Sequence, residues 1–152
     1  MLTQICQYLR NWFNSNLPKI VGTFEVYGGE IASTGSTVRL SGILKDGQYF
    51  RIVGSALNDG VHQWPDGDLQ DETFKGAVWP MAVPPVIVNL AEDIETWAEK
   101  YSGPDSVATS PFQSESFGGY SYSKGTASSS NGGFGVSWQD VFSTRLAPWR
   151  KI

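Results

Sequence analysis

The chain has 152 residues, with eleven Lys and Arg against fifteen Asp and Glu, for a net charge of -4 at pH 7. That length suits one domain with at most a small subdomain, and the acidic balance argues against a freestanding DNA-binding protein, which needs a basic footprint. A single cysteine, Cys6, and a single histidine, His62, leave no material for a disulfide framework, a Cys-based zinc cluster or a His-rich metal site.

The opening stretch MLTQICQYLRNWF has neither a basic leader nor an unbroken apolar centre, so it is read as a helix rather than a signal peptide. Ile5, Leu9, Trp12 and Phe13 recur at helical spacing, with Cys6 and Tyr8 alongside. Thr3 is the expected cap, and NSNLP the expected stop, because Pro18 disfavours helix at Leu17. No apolar run approaches the ~18 residues of a membrane span. The chain reads as cytosolic in origin and not an enzyme.

From Ile20 to Trp64 the apolar period changes to two. Phe24 and Val26 define one strand face, and Gly28-Gly29 a bulge or turn. Val38 and Leu40 alternate with Arg39 and Ser41 as a second strand. Lys45-Asp46-Gly47 is a hairpin signal leading into a third strand, Tyr49–Val53. Asn58-Asp59-Gly60 turns into a fourth, Val61–Trp64. Leu69 to Phe74 is expected as a short helix. Pro84-Pro85 then opens the strongest helix, striped by Ile87, Leu90, Ala91, Ile94, Trp97, Ala98 and Tyr101 and ended by Gly103-Pro104. Its outer face carries Glu92, Asp93, Glu95 and Glu99, ordinarily a solvated face.

Residues 105–136 form an extended loop rich in serine and glycine, too polar to offset its own ordering cost of ~1–2 kcal/mol per residue. The final segment returns to helix over 137–149. Ser137 is the expected N-cap and Asp140 the acid of the first turn; Trp138, Val141, Phe142, Leu146 and Trp149 follow at helical spacing. So short a helix is marginal in water, while five large apolar side chains gain about 10 kcal/mol gross on burial. Docking on another chain is therefore expected, through Trp138, Val141, Phe142, Arg145, Leu146, Trp149, Arg150 and Lys151.

Catalytic material is scarce. Cys6 reads as a small buried thiol, His62 as a partly exposed packing residue, and no third group orients such a pair. Asp66, Asp68, Asp71 and Glu72 lack the order of a helix–loop–helix calcium site. FGGYSYSKG has no phosphate-cradling spacing, so no cofactor and no metal are expected. Six tryptophans permit a carbohydrate- or cell-wall-binding module as the rival class, against ordinary core and interface packing.

Three stretches in order then carry a resemblance: Pro84-Pro85 opening the amphipathic helix, the run Ser114-Glu115-Ser116-Phe117-Gly118-Gly119-Tyr120-Ser121-Tyr122-Ser123, and the closing Trp149-Arg150-Lys151-Ile152. Together they resemble the head–tail connector (adaptor) family of tailed bacteriophages, and Ile52–Val61 is similar to the small β-insert some connectors carry. The resemblance implies an α+β fold: a helical connector core (N-terminal, long central and C-terminal helices, residues 1–17 and 77–152) with an inserted antiparallel β-domain, residues 18–76. It implies a structural virion protein of the neck, made in the host cytoplasm, forming a homo-oligomeric ring, usually of twelve copies. Implied partners are the portal protein above and a stopper or tail terminator below, with DNA passing through the channel without sequence-specific binding and no membrane. The C-terminal residues named above would dock on the portal, and the Ser114–Ser123 loop would pack between subunits. A tail completion or stopper protein of the same virion is the near alternative.

Overall fold

The computed structural model describes residues 1–101, 114–117, 120–123 and 136–152. The chain divides into two compact units, residues 12–84 and residues 1–11 with 85–152.

The first unit is a five-stranded sheet: β1 (Ile20–Tyr27), β2 (Glu30–Ser33), β3 (Tyr49–Val53), β4 (Gly60–Gln63) and β5 (Glu72–Pro80), in the order β2-β1-β5-β3-β4. Every pairing is antiparallel. Strand alternation sends Phe24 and Val26, Phe50 and Ile52, and Phe74 and Val78 to one face, where Ile31, Leu40, Leu44, Trp64 and Leu69 complete the core. Gly28 and Gly29 both take positive φ, 58° and 82°, which lets the chain reverse tightly between β1 and β2. Gly76, in mid-β5, faces the carbonyl of Val53 so closely that no Cβ fits.

The second unit holds α1 (Leu2–Leu9), α2 (Pro85–Tyr101), the paired strands β6 (Ser114–Phe117) and β7 (Tyr120–Ser123), and the short helices α3 (Trp138–Val141) and α4 (Ser143–Leu146), with a 3-10 turn at Ala147–Trp149. Along α2, Ile87, Leu90, Ala91, Ile94, Trp97 and Tyr101 are buried, as their spacing predicts, while Ala98 is half-buried.

The expected helical connector core with a small β-insert is overturned. The five-stranded antiparallel sheet is the main framework among the described residues, and α2, with 17 residues, is the one helix of any length. Three local facts produce this. Residues 72–80, expected to begin in a helix, form β5, the strand at the centre of the sheet. The helix expected over 137–149 breaks at Phe142 (φ -99°, ψ 6°), which separates α3 from α4. At the start, α1 stops at Arg10, whose φ of 52° is left-handed, so Trp12 and Phe13 leave the helical stripe. The unit boundary also falls earlier than residue 17, because Ser15 Oγ donates to Pro80 O (2.9 Å) and Ala82 N to Phe13 O (2.6 Å), tying residues 13–15 to the end of β5.

The strand expected around Val38 and Leu40 is instead a 3-10 turn, Leu40–Gly42, that drops Leu40 into the core. β2 takes its place one step earlier, around the fully buried Ile31.

Candidate functional site

The C-terminal segment is anchored inside its own unit. Ser137 caps α3: its hydroxyl accepts from Asp140 N (3.3 Å), and the Asp140 carboxylate accepts from Ser137 N (3.3 Å). Val141, Phe142 and Leu146 are buried. The Phe142 ring meets Trp97 of α2 edge-on, with centroids 6.3 Å apart, and Trp138 meets Tyr8 of α1 at 5.5 Å. Arg145 donates to Asp93 Oδ2 at 2.7 Å. Asn11 Nδ2 donates to Trp149 O (3.0 Å) and Lys151 N to Leu9 O (2.9 Å), which seats the end of the chain on α1.

The eight residues expected to dock on another chain therefore separate into two groups. Val141, Phe142 and Leu146 are buried, Phe142 against Trp97 of α2, and Trp138 and Arg145 are tied to Tyr8 and Asp93. The half-buried Trp149 gives its carbonyl to Asn11, and only Arg150 and Lys151 stand exposed, with Ile152 beyond them. Helical spacing shows that a face is apolar without showing what covers it, and here the covering side chains come in part from the same unit.

The serine run is placed as a β-pair. Ser114 pairs with Ser123 and Ser116 with Ser121, while Glu115 pairs with Tyr122 and Phe117 with Tyr120. Alternation along two strands thus sorts the four serines onto one set of register positions and the three aromatics with Glu115 onto the other. Gly118 and Gly119 lie outside the described residues.

In the sheet unit the acidic stretch 66–72 is spent on local structure. Asp71 Oδ1 accepts from Gly28 N at 2.9 Å, and Asp66 Oδ1 from Asp68 N at 2.9 Å. Glu72, at the start of β5, accepts from the Ser55 hydroxyl and from Asn58 Nδ2 (2.8 Å). Desolvation pushes the Glu72 carboxyl up, but the bonds from Ser55 and Asn58, with the Leu57 and Ala56 backbone, outweigh it and hold the group below the ordinary carboxylate value. Asn58 also exchanges two bonds with the backbone of Gln70, at 2.9 and 2.8 Å. His62 faces acceptors on both sides, Asp66 Oδ2 at 2.8 Å and Asn58 O at 2.7 Å, and stacks on Phe50 at 5.5 Å. These bonds fasten the 54–60 turn to the approach of β5. Ser55 bonds to the Glu72 carboxylate, and His62 to Asp66 and the Asn58 carbonyl, so these bonds pair no hydroxyl with the imidazole. Among the described residues no three His, Cys, Asp or Glu side chains gather as a metal site, and no helix is long and apolar enough to cross a membrane.

A feature not anticipated from sequence lies on the other side of the sheet. The Arg51 guanidinium sits 3.4 Å from the centroid of Trp12 and 4.8 Å from that of Trp79, and Lys19 Nζ lies 3.7 Å over the Trp79 ring. Cations thus cover the rings of Trp12 and Trp79, while Trp64 and Trp97 are buried. A sugar platform needs open aromatic faces, and these four tryptophans do not offer them. The sequence carried half of the signal, Arg51 on the outward parity of the strand Tyr49–Val53; its pairing with Trp79 depends on β3 lying beside β5.

No family model, curated protein or solved structure matches this chain.

Proposed function

We propose that this chain is a structural protein of a tailed-phage virion, a head–tail connector subunit that binds under the portal and carries out no catalysis. The observation that carries the reading is the β6–β7 pairing: the run on which the connector resemblance chiefly rests is an antiparallel pair whose register separates serines from aromatics. A two-stranded ribbon by itself is marginal in water, so such a pair gains stability by adding to a neighbour, as a strap between ring subunits does. The C-terminal tip complements it. Arg150, Lys151 and Ile152 are exposed but held by a seated backbone, which presents two cations and one aliphatic side chain to a partner at little ordering cost.

The test is co-expression with the portal protein of the same phage, read by native mass spectrometry and by imaging of the particle neck. The parent chain is expected to decorate the portal as a ring. Arg150→Glu with Lys151→Glu is expected to abolish portal binding while leaving the fold intact, because both side chains are exposed. A parent chain that ignores the portal, or binds only at the tail-side end of an assembled neck, overturns the adaptor reading; the second result assigns it to the stopper position.

A further inference from the structure

An antiparallel sheet can leave one face to water, and that face is then ordinarily polar. Here it is apolar and cationic. The register aligns Val21, Ala77 and Val53 in one row across β1, β5 and β3, and sets Arg51 beside Trp79 in the next. Val21 is 78% exposed. Lys19 caps the Trp79 ring at 3.7 Å, and Lys75, paired in register with Thr23, is exposed with no ion pair among the described residues. Glu25 is the one acid on the corresponding stretch of β1. The exposed Lys19 and Lys75 beside an apolar row, on a chain of net charge -4, select an acidic partner by charge complementarity.

The same chain displays such a surface. α2 exposes Glu92, Glu95 and Glu99 at i, i+3 and i+7, which places them on one helix face; Val86, 57% exposed, precedes them. Glu95 also lies 3.0 Å from the α-amino group of Met1. Patches of opposite sign on one chain allow head-to-tail contact between copies, the heterologous arrangement that closes into rings.

We propose that the outer sheet face of one copy, through Lys19, Lys75 and Val21, docks on the acidic face of α2 of the next copy. This inference rests on the ring reading above and names the surfaces that build the ring.

Charge reversal tests it. Lys19→Glu with Lys75→Glu makes both patches acidic; Glu92→Lys with Glu99→Lys makes both basic. Each variant, folded as judged by an unchanged melting curve, is expected to self-associate about tenfold or more weakly than the parent, in sedimentation velocity alone and in copy number on the portal. An equimolar mixture of the two variants, in which every contact is again between opposite charges, is expected to recover assembly as alternating rings, and raised salt to weaken the parent. The proposal is overturned if either variant alone assembles like the parent, if the mixture stays dispersed, or if the parent is monomeric both alone and on the portal. Charge-dependent assembly without portal binding would leave this contact standing and remove the connector reading; portal rings indifferent to both reversals would do the opposite.

Discussion

The two units of this protein are stabilised by different means. In the sheet unit β5 lies between β1 and β3, with seven register positions shared with β1 and four with β3; backbone ladders hold the strands and side chains fill one face. In the other unit α1, α3 and α4 have 8, 4 and 4 residues, all too short to persist alone. A few buried side chains, Ile5, Leu9, Trp97 and Phe142 among them, determine whether those pieces stay helical. The contrast teaches where each unit is vulnerable: the helical one to loss of an anchor, the sheet one to loss of backbone approach.

The largest effect is expected from Phe142→Ala. The ring is fully buried at the break between α3 and α4, where no continuous helix ladder compensates, so truncation costs about 3–5 kcal/mol. Hydrogen exchange is expected to show lost protection in α3, α4 and the facing turns of α2, with β1 and β5 unaffected. Equal loss in β5 would break the comparison, since it would mean the two units unfold as one.

Its counterpart in the sheet unit removes no side chain at all. In Gly76→Ala the new Cβ overlaps the carbonyl oxygen of Val53 and crowds Gly54, so β3 must move off β5 at a cost of about 3 kcal/mol. Gly22→Ala is the control: its Cβ meets only Ser33 Oγ at 3.9 Å, and less unfolded-chain entropy makes it neutral or slightly stabilising. Denaturant midpoints of the two variants measure the difference.

Period-two alternation made Phe24, Val26, Phe50 and Ile52 legible as core, and the stripe of α2 was readable in full because 17 residues give several repeats of one period. Asn-Asp-Gly and Asp-Gly marked turns through glycine's tolerance of positive φ, seen at Gly47 (82°) and Gly60 (129°). β5 was not legible. Its residues Glu72 to Lys75 follow an acid-rich turn that imitates a helix start, and Gly76 interrupts the alternation for a reason that exists only once Val53 is beside it. The same holds for the site: the exposed tip at Arg150 and Lys151 could be read from charge, whereas burial of Val141, Phe142 and Leu146, with Phe142 against Trp97, and the Trp12–Arg51–Trp79–Lys19 stack depend on which elements become neighbours.

The polar fastening of the 54–60 turn predicts a smaller effect with a pH signature. Asn58→Ala leaves Gln70 N and the Glu72 carboxylate each without one partner and is expected to cost about 2 kcal/mol. The lowered Glu72 pKa means the folded state holds the ionised form more tightly than the unfolded chain does. Its contribution is therefore complete above the ordinary value of 4.5 and is lost as pH falls below that value through the folded one. In Glu72→Gln this share of the acid sensitivity disappears, which stability measured across pH 3 to 6 reads directly; an unchanged acid limb would place the sensitivity elsewhere in the chain.

The smallest effect sharpens the comparison most, because it concerns helix formation itself in the unit where helices are weakest. Ser137 and Asp140 satisfy each other's backbone N–H groups at the start of α3, a reciprocal cap visible in the sequence as Ser-x-x-Asp. Ser137→Ala removes the acceptor for Asp140 N, but Asp140 is exposed and water replaces the lost bond, so the cost is about 1 kcal/mol. Ser137→Asp, which keeps an acceptor at the cap, is expected to recover most of it. If Ser137→Ala instead destabilises as much as Phe142→Ala, initiation of α3 rather than burial of Phe142 governs the C-terminal segment. If it costs nothing, the segment is held by its buried side chains alone, and the cap matters only for where the helix begins.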